Sequence, residues 1–156
     1  MGVIMKRILL LILLVTSGIS ARQLGLGIII GSPTGLSGKY FFGPKSAIEV
    51  NAGWSFWRTV GLHLTGDYQF IFPQTFVTEE GKKIEGFDLY AGIGGSFRVK
   101  EKENEETEFH IGLRIGGGIE YSFSKFGTFL ELYPVVDLVP STDFDFEGGL
   151  GLRFYF

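Results

Sequence analysis

The sequence predicts an all-β fold, an eight-stranded antiparallel up-and-down transmembrane β-barrel. Polar and apolar residues alternate with a period of two through most of the chain, and 24 glycines with 15% aromatic residues favour strands over helices. Beyond residue 21, no apolar stretch is long enough for a membrane-spanning helix. An apolar chain without such a helix can enter a bilayer only as a closed barrel, because open sheet edges leave backbone groups unpaired in lipid.

The clearest predicted strand is the last one, residues 143–156, with the sequence DFDFEGGLGLRFYF. Its even positions are apolar or Gly, so we expect them to face outward, and its odd positions are expected to face inward. A long C-terminal strand that finishes on an aromatic residue resembles the sorting strand of bacterial outer-membrane β-barrel proteins. The resemblance implies that the barrel assembly machinery recognises this strand during biogenesis, through Leu152, Phe154 and Phe156.

Seven further segments show the same alternation and complete the eight strands. They are residues 24–30, 36–42, 48–56, 62–70, 87–99, 108–124 and 129–138. Pro134 interrupts the last of these, and because proline donates no backbone hydrogen bond we expect a bulge there.

An even number of strands places both termini at one end of the barrel. The connections 32–35, 56–59, 100–107 and 139–143 then lie at the opposite end. The long connection 73–85 falls at the end of the termini, where outer-membrane barrels have short turns. Two interpretations remain open: the strand count is off by one before this segment, or the segment is an ordered extension of its hairpin.

The polar face of the strands is predicted to point into the barrel, because so many aromatic residues need lipid to cover them. Unpaired charges in a narrow lumen are costly, so we expect these side chains to form one salt-bridged, hydrogen-bonded network. The predicted lumen network comprises Lys39, Glu49, His63, Asp67, Asp88, Arg98, His110, Arg114, Glu120, Glu131, Asp145, Glu147 and Arg153.

Aromatic residues cluster near the ends of the predicted strands. Tryptophan and tyrosine in particular are enriched at both interfaces of a membrane, where transmembrane barrels carry girdles of aromatic residues. The cluster includes Tyr40, Phe42, Trp54, Phe56, Trp57, Tyr121, Phe123, Phe126, Phe154 and Phe156.

The first 21 residues have the features of a cleaved export signal. Lys6 and Arg7 precede an apolar run at residues 8–15, and small residues lead to Ala21. We therefore expect a mature barrel domain at 22–156. Without Lys6 and Arg7 the chain keeps 17 acidic residues against 12 basic ones, which argues against a nucleic-acid partner. The absence of cysteine excludes disulfides, thiolate metal sites and a lipidated cysteine.

The sequence contains no strong motif for an enzyme, a cofactor or a metal. A hydrolase would need His63 or His110 beside Ser55, Ser96 or Ser122, with Glu120 or Asp67 behind the histidine, yet no GxSxG element is present. A metal site built from His63, His110 and Asp67 has no better support. The glycine-rich stretches lie inside predicted strands without a following helix, so they do not form a dinucleotide fingerprint. We expect no catalytic residue, cofactor or metal.

Across the mature chain, the organisation resembles the small OmpA-type and OmpX-type outer-membrane barrels. The segments that carry this resemblance are PTGLSGKYFF (33–42), YAGIGGSFR (90–98), LELYPVVDLVPSTDF (130–144) and GGLGLRFYF (148–156). The resemblance implies a monomeric, porin-like fold in the outer membrane of a Gram-negative cell envelope, in contact with outer-membrane lipids and lipopolysaccharide.

Three functional hypotheses follow from this interpretation. The first is a non-enzymatic outer-membrane barrel with a structural or surface role and a salt-bridged polar lumen. The second is a narrow channel or a carrier of a small ligand in the same membrane. The third is a soluble periplasmic barrel of lipocalin type that binds an apolar ligand, in which the two faces of the strands would be reversed.

Overall fold

A computed structural model describes residues 23–54, 60–101 and 106–156. The predicted signal peptide at residues 1–21 lies outside the described residues. So do Ser55, Phe56 and Trp57, as well as part of the charged connection 100–107. The described part of the chain contains no helix long and apolar enough to cross a membrane.

Within the described residues, eight strands form one closed sheet, which confirms the predicted fold class. Each strand pairs antiparallel with the next, and β1 pairs with β8 to close the barrel. The strands are β1 (Leu24–Ser32), β2 (Gly35–Gly43), β3 (Ser46–Gly53), β4 (Val60–Val77), β5 (Lys83–Glu101), β6 (Thr107–Phe123), β7 (Phe126–Val139) and β8 (Asp143–Tyr155). Each of the eight strands predicted from the sequence corresponds to a different one of these elements.

The long connection 73–85 is an ordered extension of the β4–β5 hairpin. β4 continues to Val77 and β5 begins at Lys83, so a short turn is all that joins them. The strand count before this segment is therefore correct. A register shift near Gly86 accompanies the extension, and Gly86 has a φ of 101°, which a residue with a side chain rarely adopts.

The bulge expected at Pro134 is absent from that position. The pairs Arg114↔Val135 and Gly117↔Leu132 keep the same register on either side of the proline. The β6–β7 register shifts instead beside Ile111, opposite the end of β7. A proline lacks one hydrogen bond of the ladder but does not add a residue to its strand. The position of the proline therefore does not determine the position of a bulge, which is an added residue.

The two faces of the sheet differ sharply in chemistry. Side chains on the inward phase are buried and mostly polar or charged, whereas large apolar side chains stand exposed on the outside of the barrel. In β8 the phase is as predicted, with Leu152 outside and Arg153 inside. The exposed set includes Ile28, Ile30, Leu36, Val50, Phe70, Phe72, Ile93, Leu113, Ile115, Leu130, Leu132, Phe146 and Leu150.

Glycines make room for large side chains inside the barrel. The ring of Phe129 occupies the space that a Cβ on Gly151 would need. The hydroxyl of Tyr133 likewise occupies the space that a Cβ on Gly92 would need. Phe129 and Tyr133 are almost fully buried. A small barrel has little internal width, so a bulky ring on one strand requires a missing side chain on another.

Gly151→Ala should test this packing. The added methyl group would collide with the Phe129 ring, and overpacking of this kind typically destabilises a protein by about 1–3 kcal/mol. Gly66→Ala is the matched control, because no atom lies within 4 Å of a Cβ built there. Denaturant titration of both variants should show a lower unfolding midpoint for Gly151→Ala alone. Equal loss in the two variants would contradict the account.

Candidate functional site in the barrel interior

The inward phase of the strands collects ionisable side chains in the barrel interior. Most of the predicted lumen network is found there at no more than 6% exposure: Lys39, Glu49, His63, Asp67, Arg98, Arg114, Glu120, Glu131, Glu147 and Arg153. Asp137, from the polar phase of β7, is buried with them. In the described part of the chain, four cations from Lys and Arg therefore face six buried carboxyl groups.

Arg153 organises the half of the interior nearer the chain termini. Its Nη2 lies 2.6 Å from Glu49 Oε2, and its Nη1 donates to Glu120 Oε2 at 3.2 Å. Its Nε and Nη2 also donate to Ser37 Oγ at 3.1 and 2.9 Å. The guanidinium carbon stands 3.6 Å from the centroid of the Phe129 ring. This buried cation therefore has two carboxylates, one hydroxyl and one aromatic face around it.

Lys39 lies beside the same cluster. Its Nζ is 3.3 Å from Glu120 Oε1 and stands 4.2 Å from the centroid of the Tyr90 ring. The Tyr155 hydroxyl donates to the other oxygen of Glu120 at 2.6 Å. Glu120 thus interacts with Lys39, Arg153 and Tyr155 together, which compensates for its removal from water.

Arg114 organises the other half of the interior. Its Nε lies 2.9 Å from Asp67 Oδ1, and its Nη1 donates to Glu147 Oε2 at 2.7 Å. The guanidinium carbon stands 4.0 Å from the centroid of Tyr133. The Tyr133 hydroxyl accepts a hydrogen bond from Gln69 Nε2 at 3.1 Å. The same Gln69 nitrogen donates to Glu49 at 2.9 Å, so the two halves form one connected network.

The network continues to the end of the barrel opposite the termini. Arg98 Nη2 donates to both oxygens of Asp137 at 2.6 and 2.7 Å, and Nη1 donates to Asp145 at 3.0 Å. His110 lies 3.5 Å from Asp137 and 3.6 Å from Glu108. Asp145 is exposed and His110 is partly exposed, so both belong to the rim.

Asp88 is also placed away from the buried network. It lies partly exposed in a pocket of about 370 Å³ at the end of the barrel that carries the termini. Phe41, Ser122 and Tyr155 are among the other lining residues. The two rims therefore hold three of the thirteen predicted residues, and the packed middle holds the other ten.

Neutral polar residues join the charged groups, and these were not among the predicted members. Asn51 Nδ2 donates to Glu49 at 2.9 Å, and the Tyr90 hydroxyl donates to Glu131 at 2.8 Å. Both residues lie on the inward phase of their strands, so the alternation of polar and apolar residues was sufficient to predict that they face the interior. The prediction omitted them because it selected residues by charge.

The geometry around His63 does not match a catalytic triad. His63 Nε2 lies 3.2 Å from Ser96 Oγ and 2.9 Å from Glu147 Oε1, and Ser96 Oγ donates to the same carboxylate oxygen at 2.6 Å. A triad needs the serine and the carboxylate on different ring nitrogens, so that one nitrogen can take the serine proton while the carboxylate holds the N–H of the other. Here a single nitrogen faces both groups, and all three residues are buried away from any substrate.

Within the described residues, no group of three or more His, Cys, Asp or Glu side chains is arranged to hold a metal ion. His63 and His110 instead approach separate carboxylates, Glu147 and Asp137. The chemistry that the interior side chains show is ion pairing and hydrogen bonding with one another.

This chain is similar to a solved structure, the crystal structure of the N-terminal β-barrel domain of OprF from Pseudomonas aeruginosa, with a TM-score of 0.60 and 17% sequence identity. The match covers 88% of this chain and all of that domain. The two chains share a fold. No protein-family model and no curated protein matches the sequence.

Glu147→Gln should show how far the interior depends on its ion pairs. The amide keeps the size of the side chain but leaves Arg114 with one carboxylate fewer, and breaking a buried pair from one side costs about 3–5 kcal/mol. Asp143→Asn, on an exposed residue of the same strand, is the control. Denaturant titration should show a large loss of stability for Glu147→Gln alone. An unchanged midpoint would mean that the network does not stabilise the barrel.

Proposed function

We propose that this chain is an integral outer-membrane β-barrel protein with a structural, non-enzymatic role, its lumen filled by a salt-bridged plug. The observation that carries the proposal is the inverted polarity of the barrel, with charges inside and large apolar side chains outside. Soluble proteins rarely expose apolar patches of more than a few hundred Å². In lipid the same surface is buried, and a closed barrel leaves no edge of unpaired backbone groups.

The dimensions of the strands support a membrane span. β8 has 13 residues, and at about 3.3 Å per residue with a tilt of about 45° it would rise about 30 Å. This height matches the hydrocarbon core of a bilayer, which is about 30 Å thick. The alternation of outward apolar and inward polar residues continues along the whole of β8.

Aromatic rings around the end of the barrel near the termini support a membrane interface there. Seven rings follow one another at centroid distances of 4.6–5.9 Å. We call these rings the aromatic belt: Phe76, Phe87, Tyr121, Phe123, Phe126, Phe154 and Phe156. Girdles of aromatic residues are typical of the two interfaces of a transmembrane barrel.

The packed interior favours a structural barrel over a channel. Arg114, Arg153 and Lys39 lie at the centre with 0–1% exposure, which leaves little space for an ion to pass between them. A carrier of lipocalin type would need apolar residues inside and polar residues outside, the reverse of this barrel. The buried geometry of His63 and Ser96 gives no support to a hydrolase.

The expected partners follow from the same proposal. The outer surface contacts outer-membrane lipids and lipopolysaccharide, and the terminal strand with Leu152, Phe154 and Phe156 engages the barrel assembly machinery during biogenesis. Within the described barrel wall every strand is paired on both sides, and Pro73 and the charged tip protect the edges of the β4–β5 extension, which favours a monomer. Export through the cleaved signal peptide brings the chain to this location.

Cell fractionation with protease treatment tests the proposal. The protein should be recovered in the outer-membrane fraction and migrate differently on gels before and after heating. In intact cells, added protease should cut within residues 100–107 and leave residues 73–85 uncut until the outer membrane is opened. Recovery in the soluble periplasm would contradict the proposed location, and the opposite cleavage pattern would reverse the proposed orientation.

Leu150→Arg places a charge on the outer face of β8 near the middle of the strand, where Leu150 is 57% exposed. If the residue lies at the bilayer midplane, the free energy of folding should become less favourable by about 2–4 kcal/mol. Phe144→Arg, near the end of the same strand, should cost only about 0–1 kcal/mol if it lies at the interface. Reversible folding into phospholipid vesicles measures both. Equal costs at the two positions would contradict the outward assignment.

A further inference from the structure

The extension of the β4–β5 hairpin, residues 72–86, runs past its neighbouring strands. Pairing between β3 and β4 ends at Ser46↔Phe70, and pairing between β5 and β6 begins at Phe87↔Tyr121. Within the extension, β4 pairs with β5 and with no other described strand. An arm of this length in the aqueous periplasm would be unusual for a barrel whose other turns at this end are short.

The extension is amphipathic. Phe72 and Phe76 lie on the outward phase of β4, and Ile84 pairs with Phe76 on the same face, because side chains of paired antiparallel residues share a face. All three are exposed, at 52%, 47% and 37%. The register shift near Gly86 adds one residue to β5 and thereby keeps Ile84 in phase with the apolar exterior.

The outward face of the extension is continuous with the aromatic belt. The Phe76 ring is 5.4 Å from the Phe87 ring, and the Phe87 ring is 4.6 Å from the Tyr121 ring. Phe76 is therefore one end of the run of rings that reaches Phe156. If the belt marks the interface, Phe76 belongs to that interface as well.

The tip of the extension is polar and closed by its own hydrogen bonds. The amide of Gly81 donates to the Thr78 carbonyl at 2.8 Å, and the Thr78 amide donates to the Lys82 carbonyl at 2.9 Å. Its charged side chains carry both signs, from Glu79, Glu80, Lys82 and Lys83. An apolar face that ends in a charged tip matches the change from acyl chains to headgroups across an interface.

Addition of another strand to the extension is disfavoured by its residues. Pro73 lies on the side of β4 that β3 leaves unpaired, and it has no amide hydrogen to offer a partner strand. The lysine and glutamate side chains near the tip have the same protective effect on an exposed edge.

We propose that the extension is a membrane anchor, whose Phe72, Phe76 and Ile84 face rests on phospholipids of the inner leaflet and sets the depth of the barrel. This proposal rests on the proposed function, because it requires the barrel to span the outer membrane. It assigns a role to a hairpin extension that is longer than the short turns β2–β3 and β6–β7 at the same end of the barrel.

Single-tryptophan variants test the anchor. Trp54 and Trp57 are replaced by Phe, and one Trp is introduced at Phe76, Val77 or Ile115. Val77 is the matched control, because it is exposed and adjacent to Phe76 but points to the opposite face. Ile115, 64% exposed in the middle of β6, reports on the membrane span itself. Each variant is folded into phosphatidylcholine vesicles, and its folding is checked by its gel mobility before heating.

Two quenchers then locate each tryptophan. For Phe76→Trp, we expect phosphatidylcholine brominated near the headgroup to remove most of the emission, and aqueous acrylamide to remove little. For Val77→Trp, we expect the reverse. Equal acrylamide quenching at the two positions, with Ile115→Trp quenched by lipid brominated deep in the chain, would overturn the anchor and leave the membrane span intact. Loss of lipid quenching at Ile115→Trp as well would overturn the proposed function together with the anchor.

Discussion

The barrel depends on mutual compensation among charges that are buried inside it. Among the described residues, four Lys and Arg cations and six carboxyl groups lie buried in this space, and an uncompensated ion there would cost several kcal/mol. Arg153 and Arg114 each bridge carboxylates from different strands, so the interior holds the barrel wall together across its diameter. The aromatic faces of Phe129 and Tyr133 complete the surroundings of the two guanidinium groups. The side chains that compensate one another's charges also fill the middle of the barrel in the described part of the chain.

The outer surface follows from the same constraint. Because a strand alternates its side chains, placing charges inside leaves the apolar residues outside, and only a nonpolar solvent can cover them in a monomer. The β4–β5 extension obeys this rule beyond the rim, where Phe76 and Ile84 continue the apolar face. A barrel of this kind needs no ligand or active site to account for its buried polar residues.

The sequence predicted the strands and their faces because the side-chain period of a strand is invariant. One residue of slip would have exposed Arg153 and buried Leu152, so the alternation was sufficient to assign both. It could not predict which charges meet, since the contact between Arg114 and Glu147 depends on register and barrel closure. It also missed Phe129 inside the barrel, because the space for that ring is created by Gly151 on the adjacent strand. The prediction of a bulge at Pro134 was wrong, because a proline removes one backbone hydrogen bond but does not add a residue to its strand.

The central claim is that lipid is the solvent for the outside of this barrel. The most direct test is to dilute urea-unfolded residues 22–156 into buffer with and without phospholipid vesicles, and to follow circular dichroism and gel mobility before heating. The account predicts β-sheet and a heat-sensitive compact band only when lipid is present, with aggregation in buffer alone. A stable, soluble, folded monomer in buffer without lipid or detergent would contradict it.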